Sequence, residues 1–245
     1  MKIKSTFTLL LALLLCSKFL IAQENLKHFD PMDVFELEWA YDPQVSPDGK
    51  TIIYVRQSND IMKDRIQSHL WQIDADGSNH EPLLTDQQRA SSPRWSPDGK
   101  QVAYVSSASG SRQIHLLWID SGKTSVITQV QESPSSLSWS PDGKWLAFTM
   151  SIKSPNKPIA KPRSKPEGAT WAEKPITVTT TRYQYDGRGI VEPSYRHVFV
   201  VPAEGGSARQ LTDGNYNHYG SLAWSKDSQQ IFFSAHRSDD WELVS

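Results

Sequence analysis

Thiols are almost absent from this sequence, since Cys16 is the only cysteine in 245 residues. It lies in the stretch MKIKSTFTLLLALLLCSKFLIAQ, which has Lys2 and Lys4, an apolar run from Leu9 to Cys16, a polar break and the small residue Ala22. That order is the layout of a secretory signal peptide over 1–22, with cleavage expected between Ala22 and Gln23. The apolar run is short for a bilayer span and Ser17 and Lys18 interrupt it, so no stable membrane anchor is expected after signal removal. A lipoprotein signal at Cys16 is disfavoured by the bulky Leu15 before it. The expected destination is therefore the periplasm or the exterior. With the leader removed no thiol remains, which excludes disulfides, cysteine-ligated metals and thiol catalysis together.

A basic excess is also lacking: 26 Lys and Arg face 27 Asp and Glu, for a net charge of −1. Nucleic-acid binding needs a clear positive surplus, so no nucleic-acid partner is expected. Catalytic signatures are missing as well. The seven histidines show no zinc-protease pairing and no Cys/His cluster. No Gly-x-Ser-x-Gly occurs, and the nearest approach, Gly205-Gly206-Ser207-Ala208-Arg209, lacks the last glycine. SGKT at 121–124 imitates a phosphate loop, but Leu117 stands where that loop needs glycine. DADGSNHE at 74–81 imitates a calcium loop, but its glycine comes fourth rather than sixth. Both read as hairpin turns. Catalytic, cofactor-binding and metal-binding residues are accordingly assigned to none.

What the sequence does have is a repeat. SPDGK stands at 46–50, 96–100 and 140–144, with a weaker echo, SKDSQ, at 225–229. The aspartates at 48, 98, 142 and 227 give spacings of 50, 44 and 85, two of them the length of a propeller blade and the third about twice that. After each motif comes a β-branched and aromatic strand (51–55, 101–105, 145–149, 231–234). Then follow a second strand (HLWQID, IHLLWID or HVFVVPA), a turn (ADGSN, SGK or EGGS) and a short closing strand. Counting the strand that ends in Val45, Trp95, Trp139 or Trp224, each full unit has four strands, the composition of one blade. The fold class expected is all-β: a β-propeller of four-stranded antiparallel blades, incomplete, with about three and a half blades. A lead-in over 23–42 is expected before a partial propeller over 43–245. Its blades start near 43, 93, 136 and 221, and an insertion covers about 151–196.

In SPDGK the proline presets the first turn position, Asp bonds nearby backbone, Gly takes the left-handed conformation and Lys faces water. A catalytic serine is needed once, whereas a turn is needed in every blade. Repetition thus marks the motif as scaffold.

The insertion opens with prolines at 155, 158, 162, 166 and 175 among basic residues, a composition that favours an extended, solvated loop. A lid or docking arm at the propeller rim is the sharper alternative. Its second half, ITVTTTRYQYDGRGIVEPSYRHVFVV, reads as two strands joined around Asp186-Gly187 and Gly189. Arg182, Tyr183, Tyr185, Arg188 and Glu192 are the candidates for substrate contact, against the plainer reading of ordinary strand and turn residues.

With WSPDGK, HLWQIDADGS and RQLTDG in hand, the sequence resembles the propeller repeats shared by TolB-like proteins and secreted peptidases of the prolyl oligopeptidase family. Two features favour the peptidases. The chain enters the propeller soon after the leader (FDPMDVFELEWAYDPQVSPDGK), whereas TolB places an α/β domain in front. In addition, KPITVTTTRYQYDGRGIVEPSYRHVFVV looks like the mid-propeller segment of acylaminoacyl- and dipeptidyl-peptidase-like members. The resemblance implies a propeller of roughly seven or eight blades capping a C-terminal α/β-hydrolase domain with a Ser-Asp-His triad. No such domain falls within the 245 residues, so no catalytic residue carries over and the chain is expected to be the N-terminal part of a longer protein.

Two functions follow as expectations. One is the substrate-gating propeller of an exported serine peptidase that cleaves short peptides, filtering them by size and contacting a peptide N-terminus. The other is a non-catalytic exported TolB-like scaffold that binds proteins. A downstream Gly-x-Ser-x-Gly followed by Asp and His would decide for the first. The purified 245-residue chain is expected to show no peptidase activity; specific labelling of one of its serines by a serine-reactive probe would overturn this.

Overall fold

The computed structural model describes residues 28–84, 89–154, 160, 163–172 and 176–238. The signal peptide at 1–22 and the terminal DDWELVS lie outside the described residues. The chain divides into two compact units, Met1–Leu37 with Asn59–Arg65, and Glu38–Ser58 with Ile66–Ser245. In the smaller unit a 3-10 helix spans Pro31–Glu36. Asp30 caps it by accepting from Met32 N at 2.8 Å, and Asp33 accepts from Asp30 N at 2.9 Å, a reciprocal box that satisfies the first free amides.

The larger unit is built from antiparallel sheets. The first contains β1 (Glu38–Val45), β2 (Thr51–Asp60), β3 (Arg65–Asp74) and β4 (Glu81–Pro82), paired in that order. The second contains β5 (Ser91–Trp95), β6 (Gln101–Ser106), β7 (Gln113–Trp118) and β8 (Thr124–Val126). In the third, β9 (Ser135–Trp139) and β10 (Trp145–Lys153) are followed by a separate small hairpin, β11 (Gln184–Tyr185) and β12 (Gly189–Ile190). The sheet then resumes with β13 (Ser194–Pro202) and β14 (Arg209–Gln210). Among the described residues the fourth contains β15 (His218–Trp224) and β16 (Ile231–Ala235). This is the expected architecture, all-β with three four-stranded blades and the opening of a fourth, and among the described residues no sheet closes the ring.

Why the strands read as unbroken apolar runs is clear from their packing. A sheet covered on both faces needs hydrophobic residues at odd and even positions alike. Along β6, Val102 and Tyr104 pack with Ile53, Val55 and Leu70 of the first sheet. The intervening Ala103 and Val105 pack with Leu146, Phe148 and Phe199 of the third. The alternation repeats at the next interface, where Ala147, Val198 and Val200 meet Leu222 of the fourth sheet. The second and third sheets are thus each a middle layer between two neighbours.

Tryptophan fixes the register between layers. Trp95 Nε1 donates to Gln44 O (3.2 Å), Trp139 Nε1 to Arg94 O (3.0 Å) and Trp224 Nε1 to Ser138 O (3.2 Å). Each acceptor is the residue just before the Trp-equivalent position of the preceding sheet, so one indole clasps each blade to the one before it. Between the first two sheets Arg94 Nη1 also forks onto both Asp42 oxygens (3.0 and 2.9 Å).

The SPDGK turns are nearly superposable in their bonding. The serine Oγ of 46, 96, 140 and 225 donates to the aspartate two residues on at 2.6–2.7 Å. The same oxygen accepts the amide of residue 51, 101, 145 or 230 at 2.9–3.0 Å. Each aspartate also accepts the amide two residues further on at 3.1 Å. Gly99 stands at φ +71°, which a side chain would strain. The strands that end in these turns carry a further shared device, a bulge with a left-handed residue: Asp42, Ser92, Ser136 and, in the fourth sheet, Gly220. The bulge increases local twist and turns the motif end of the strand.

Two measurements follow. Trp139→Phe keeps the ring but leaves the Arg94 carbonyl without its donor, and should lower unfolding stability by about 1–2 kcal/mol in denaturant titration. The second concerns acid. The serine hydroxyl first, and the following amide second, hold Asp48, Asp98, Asp142 and Asp227 below the ordinary carboxylate range. A carboxyl more acidic folded than unfolded stabilises above the unfolded value, about pH 4, and that contribution disappears as pH falls through the folded value. Ser140→Ala should therefore move the Asp142 carboxyl titration, followed by NMR, upward. It should also cost roughly 1 kcal/mol at neutral pH, because the half-buried Trp145 amide loses its acceptor.

Candidate functional site

The second and third strands of the second blade are joined by the short turn 107–112, whereas in the third blade 154–193 fills the same place. The base of this excursion is pinned. Lys153 and Ser194 form the last pair of the β10–β13 ladder, and Ser154 N donates to Pro193 O at 2.8 Å. Above it the β11–β12 hairpin pairs Gln184 with Ile190 and Tyr185 with Gly189. Asp186-Gly187-Arg188 makes the turn, Gly187 standing at φ +70°, and Val191 N closes the loop onto Tyr183 O at 2.9 Å.

Where this hairpin meets the edge of the third and fourth sheets it walls a cleft of about 340 Å³. Four of the five residues singled out from sequence line it: Arg182, Tyr185, Arg188 and Glu192. Tyr183 does not; it is brought to the hairpin's closing backbone bond instead. The sheets add Arg196 from β13 and Tyr219 from β15, neither of which carried a sequence signal. Among the described residues the nearby cation–anion approaches involve Lys153, whose Nζ stands 3.3 Å from Glu132 and 4.0 Å from Glu192.

Arg196 is held firmly at its backbone. Its amide donates to Asn217 Oδ1 at 2.8 Å and its carbonyl accepts from His218 Nδ1 at 2.8 Å. That bond fixes the proton of the fully buried His218 on Nδ1, leaving Nε2 to accept from Arg237 Nη2 at 3.2 Å. Burial first, and the adjacent His218 ring second, lower the pKa of His197. The histidines of the three blades share a strand but not a position. Equivalent backbone bonds from Leu83 to Leu70, Ile127 to Ile114 and Leu211 to Val198 align His69 and His197 with Gln113, placing His115 two residues further on. His115 packs against Tyr104 and His197 against His218, with ring centroids 5.4 Å apart in each pair.

A larger groove of about 1030 Å³ opens between the second and third sheets, bordered by Gln113, Thr128, Met150 and Ser207. Its lining contains no histidine, and the Glu132 carboxylate and Lys153 ammonium that border it pair with each other at 3.3 Å. Among the described residues no group of three or more His, Cys, Asp or Glu side chains is arranged to hold a metal. SGKT and DADGSN form hairpin turns, closed by Gly122 N to Trp118 O at 2.8 Å and Asp74 N to Ser78 O at 2.9 Å.

A family model described as the TolB beta propeller domain matches residues 63–244. The chain belongs to that family. Over 208 residues it is 28% identical to the "uncharacterized peptidase YuxL" of Bacillus subtilis (strain 168), covering 84% of this chain and 31% of that protein. Its fold is similar to an acylaminoacyl peptidase from Pyrococcus horikoshii, with a TM-score of 0.60 at 17% identity over 84% of this chain and 29% of the other. It is also similar to TolB from Acinetobacter baumannii, with a TM-score of 0.50 at 19% identity over 77% and 36%. The chain thus spans about a third of the length of the peptidases it matches. Among the described residues no helix is long and apolar enough to cross a membrane.

Proposed function

We propose that this chain is the substrate-gating propeller part of an exported serine peptidase of the prolyl oligopeptidase type, acting on short peptides. Hydrolysis in this reading belongs to a separate α/β-hydrolase domain. The propeller supplies a rigid wall and, on the third blade, a rim excursion that carries polar and aromatic side chains to the substrate.

The observation that carries the reading is the cleft built by Arg182, Tyr185, Arg188 and Glu192 against the blade edge, on an excursion that the second blade lacks. Its location fits the general rule that function sits on loops positioned by a rigid scaffold. Similarity to YuxL over most of this chain supports a peptidase parent. The family model and the TolB likeness support the second reading, an exported scaffold that binds proteins without chemistry.

The native gene product separates the two. Cells that express the gene are treated with a fluorophosphonate probe, and the labelled protein is digested and mapped. The peptidase reading expects a labelled product whose peptides include the sequence 28–238, found in the exported fraction. A native product that takes no label sinks that reading and favours the scaffold.

A further inference from the structure

The cleft at the rim of the third blade has a charge that size filtering alone leaves unexplained. Three guanidinium side chains, Arg182, Arg188 and Arg196, line one space of about 340 Å³. Glu192 is the one acidic residue in that lining, and the ammonium of Lys153 lies 4.0 Å from its carboxylate. Among the described residues none of the three arginines is paired with a carboxylate. Guanidinium stays charged at any physiological pH, so three at one cleft repel one another unless an anion joins them.

We infer that this cleft binds the C-terminal carboxylate of a short peptide, a specificity that rests on the gating reading above. The carboxylate is flat and two-pronged, the shape that an arginine fork grips with two parallel hydrogen bonds. An α-ammonium group, the end that the sequence pointed to, would instead meet three like charges. Tyr185 and Tyr219 wall the same cleft and give the last side chains of a peptide an aromatic surface. The volume stands at the small end of ligand pockets, which run from about 300 to 1,000 Å³, and suits a chain end rather than a folded protein. Arg196 is the pre-set member, because Asn217 and His218 fix its backbone from the neighbouring strand. Arg182 and Arg188 ride on the hairpin and complete the grip.

The test is calorimetric titration of the 245-residue chain with N-acetyl-tetraalanine as the free acid, and with the same peptide as its C-terminal amide. The acetyl group removes the ammonium from both probes. The free acid is expected to bind at least about tenfold more tightly than the amide, the factor expected from about 1.4 kcal/mol of charge-assisted bonding. Arg182→Gln and Arg188→Gln should each reduce free-acid binding by about tenfold and leave amide binding unchanged. Both positions are exposed, so thermal melting should match the parent chain. Glu192→Gln should change affinity in the opposite direction and tighten the free acid. Equal binding of acid and amide overturns the carboxylate assignment while leaving a peptide site. Competition by inorganic phosphate at the free-acid affinity overturns it in favour of a general oxyanion site. Failure of the free acid to bind overturns it outright, while fluorophosphonate labelling of the native product still reports separately on the peptidase reading.

Discussion

The indole bond from each motif tryptophan to the preceding sheet's carbonyl is the contact on which the rest of this molecule is arranged. A four-stranded sheet with apolar residues on both faces cannot stand in water alone; it needs a layer on each side. Hydrophobic contact supplies the attraction but is non-directional, and would tolerate sliding of one sheet over the next. The Nε1–H bonds of Trp95, Trp139 and Trp224 remove that freedom, because each ties its indole to one carbonyl of the sheet before it. The first sheet has Val45 at the equivalent position, more than half exposed, with Trp39 and Tyr41 also partly open. In the fourth sheet Phe232 is likewise 58% exposed on the face away from the third. Apolar exposure of this kind is what a blade shows wherever no neighbouring layer covers it.

The same clasp explains why SPDGK recurs with so little change. The turn sits immediately after the clasping tryptophan, so its geometry decides where the next strand begins. Serine serves two partners at once, giving its proton to the aspartate and taking the amide of the following strand, which leaves its oxygen no role as a nucleophile. In the fourth unit Ser228 takes the glycine's place with a left-handed φ of 61°, and its hydroxyl accepts the Asp142 amide of the neighbouring turn at 3.1 Å. The altered motif there thus keeps the bonds of the other turns and adds one to its neighbour.

Periodicity made the scaffold legible, and the candidate site was legible only in part. Turn chemistry repeated at blade spacing identifies strands and sheets because each blade solves the same problem. Bulges at Asp42, Ser92 and Ser136 left no such mark, since three different local sequences adopt one backbone conformation. Within the insertion, residue type drew attention to Arg182, Tyr185, Arg188 and Glu192, which line the cleft, but nothing in the composition placed Tyr183 elsewhere. That sorting depends on the hairpin's closing bond at Tyr183 O. Arg196 and Tyr219 were missed because each sits in a strand that reads as ordinary blade. Their place at the cleft comes from the adjacency of two sheets, which is a long-range fact.

That adjacency ties the rim to the core. Arg196 belongs to the third sheet, yet Asn217 and His218, which hold its backbone, lead into and begin the fourth. Trp224 lies at the other end of the same β15 strand and anchors it to Ser138. One strand therefore carries the clasp at one end and the support of the cleft at the other. A loop excursion alone would fix its charges poorly, since each arginine has many rotamers to lose on binding. A strand braced from two sheets fixes the point from which one of the three arginines extends. The interaction that holds blade to blade is in this way also the one that gives the rim its fixed point.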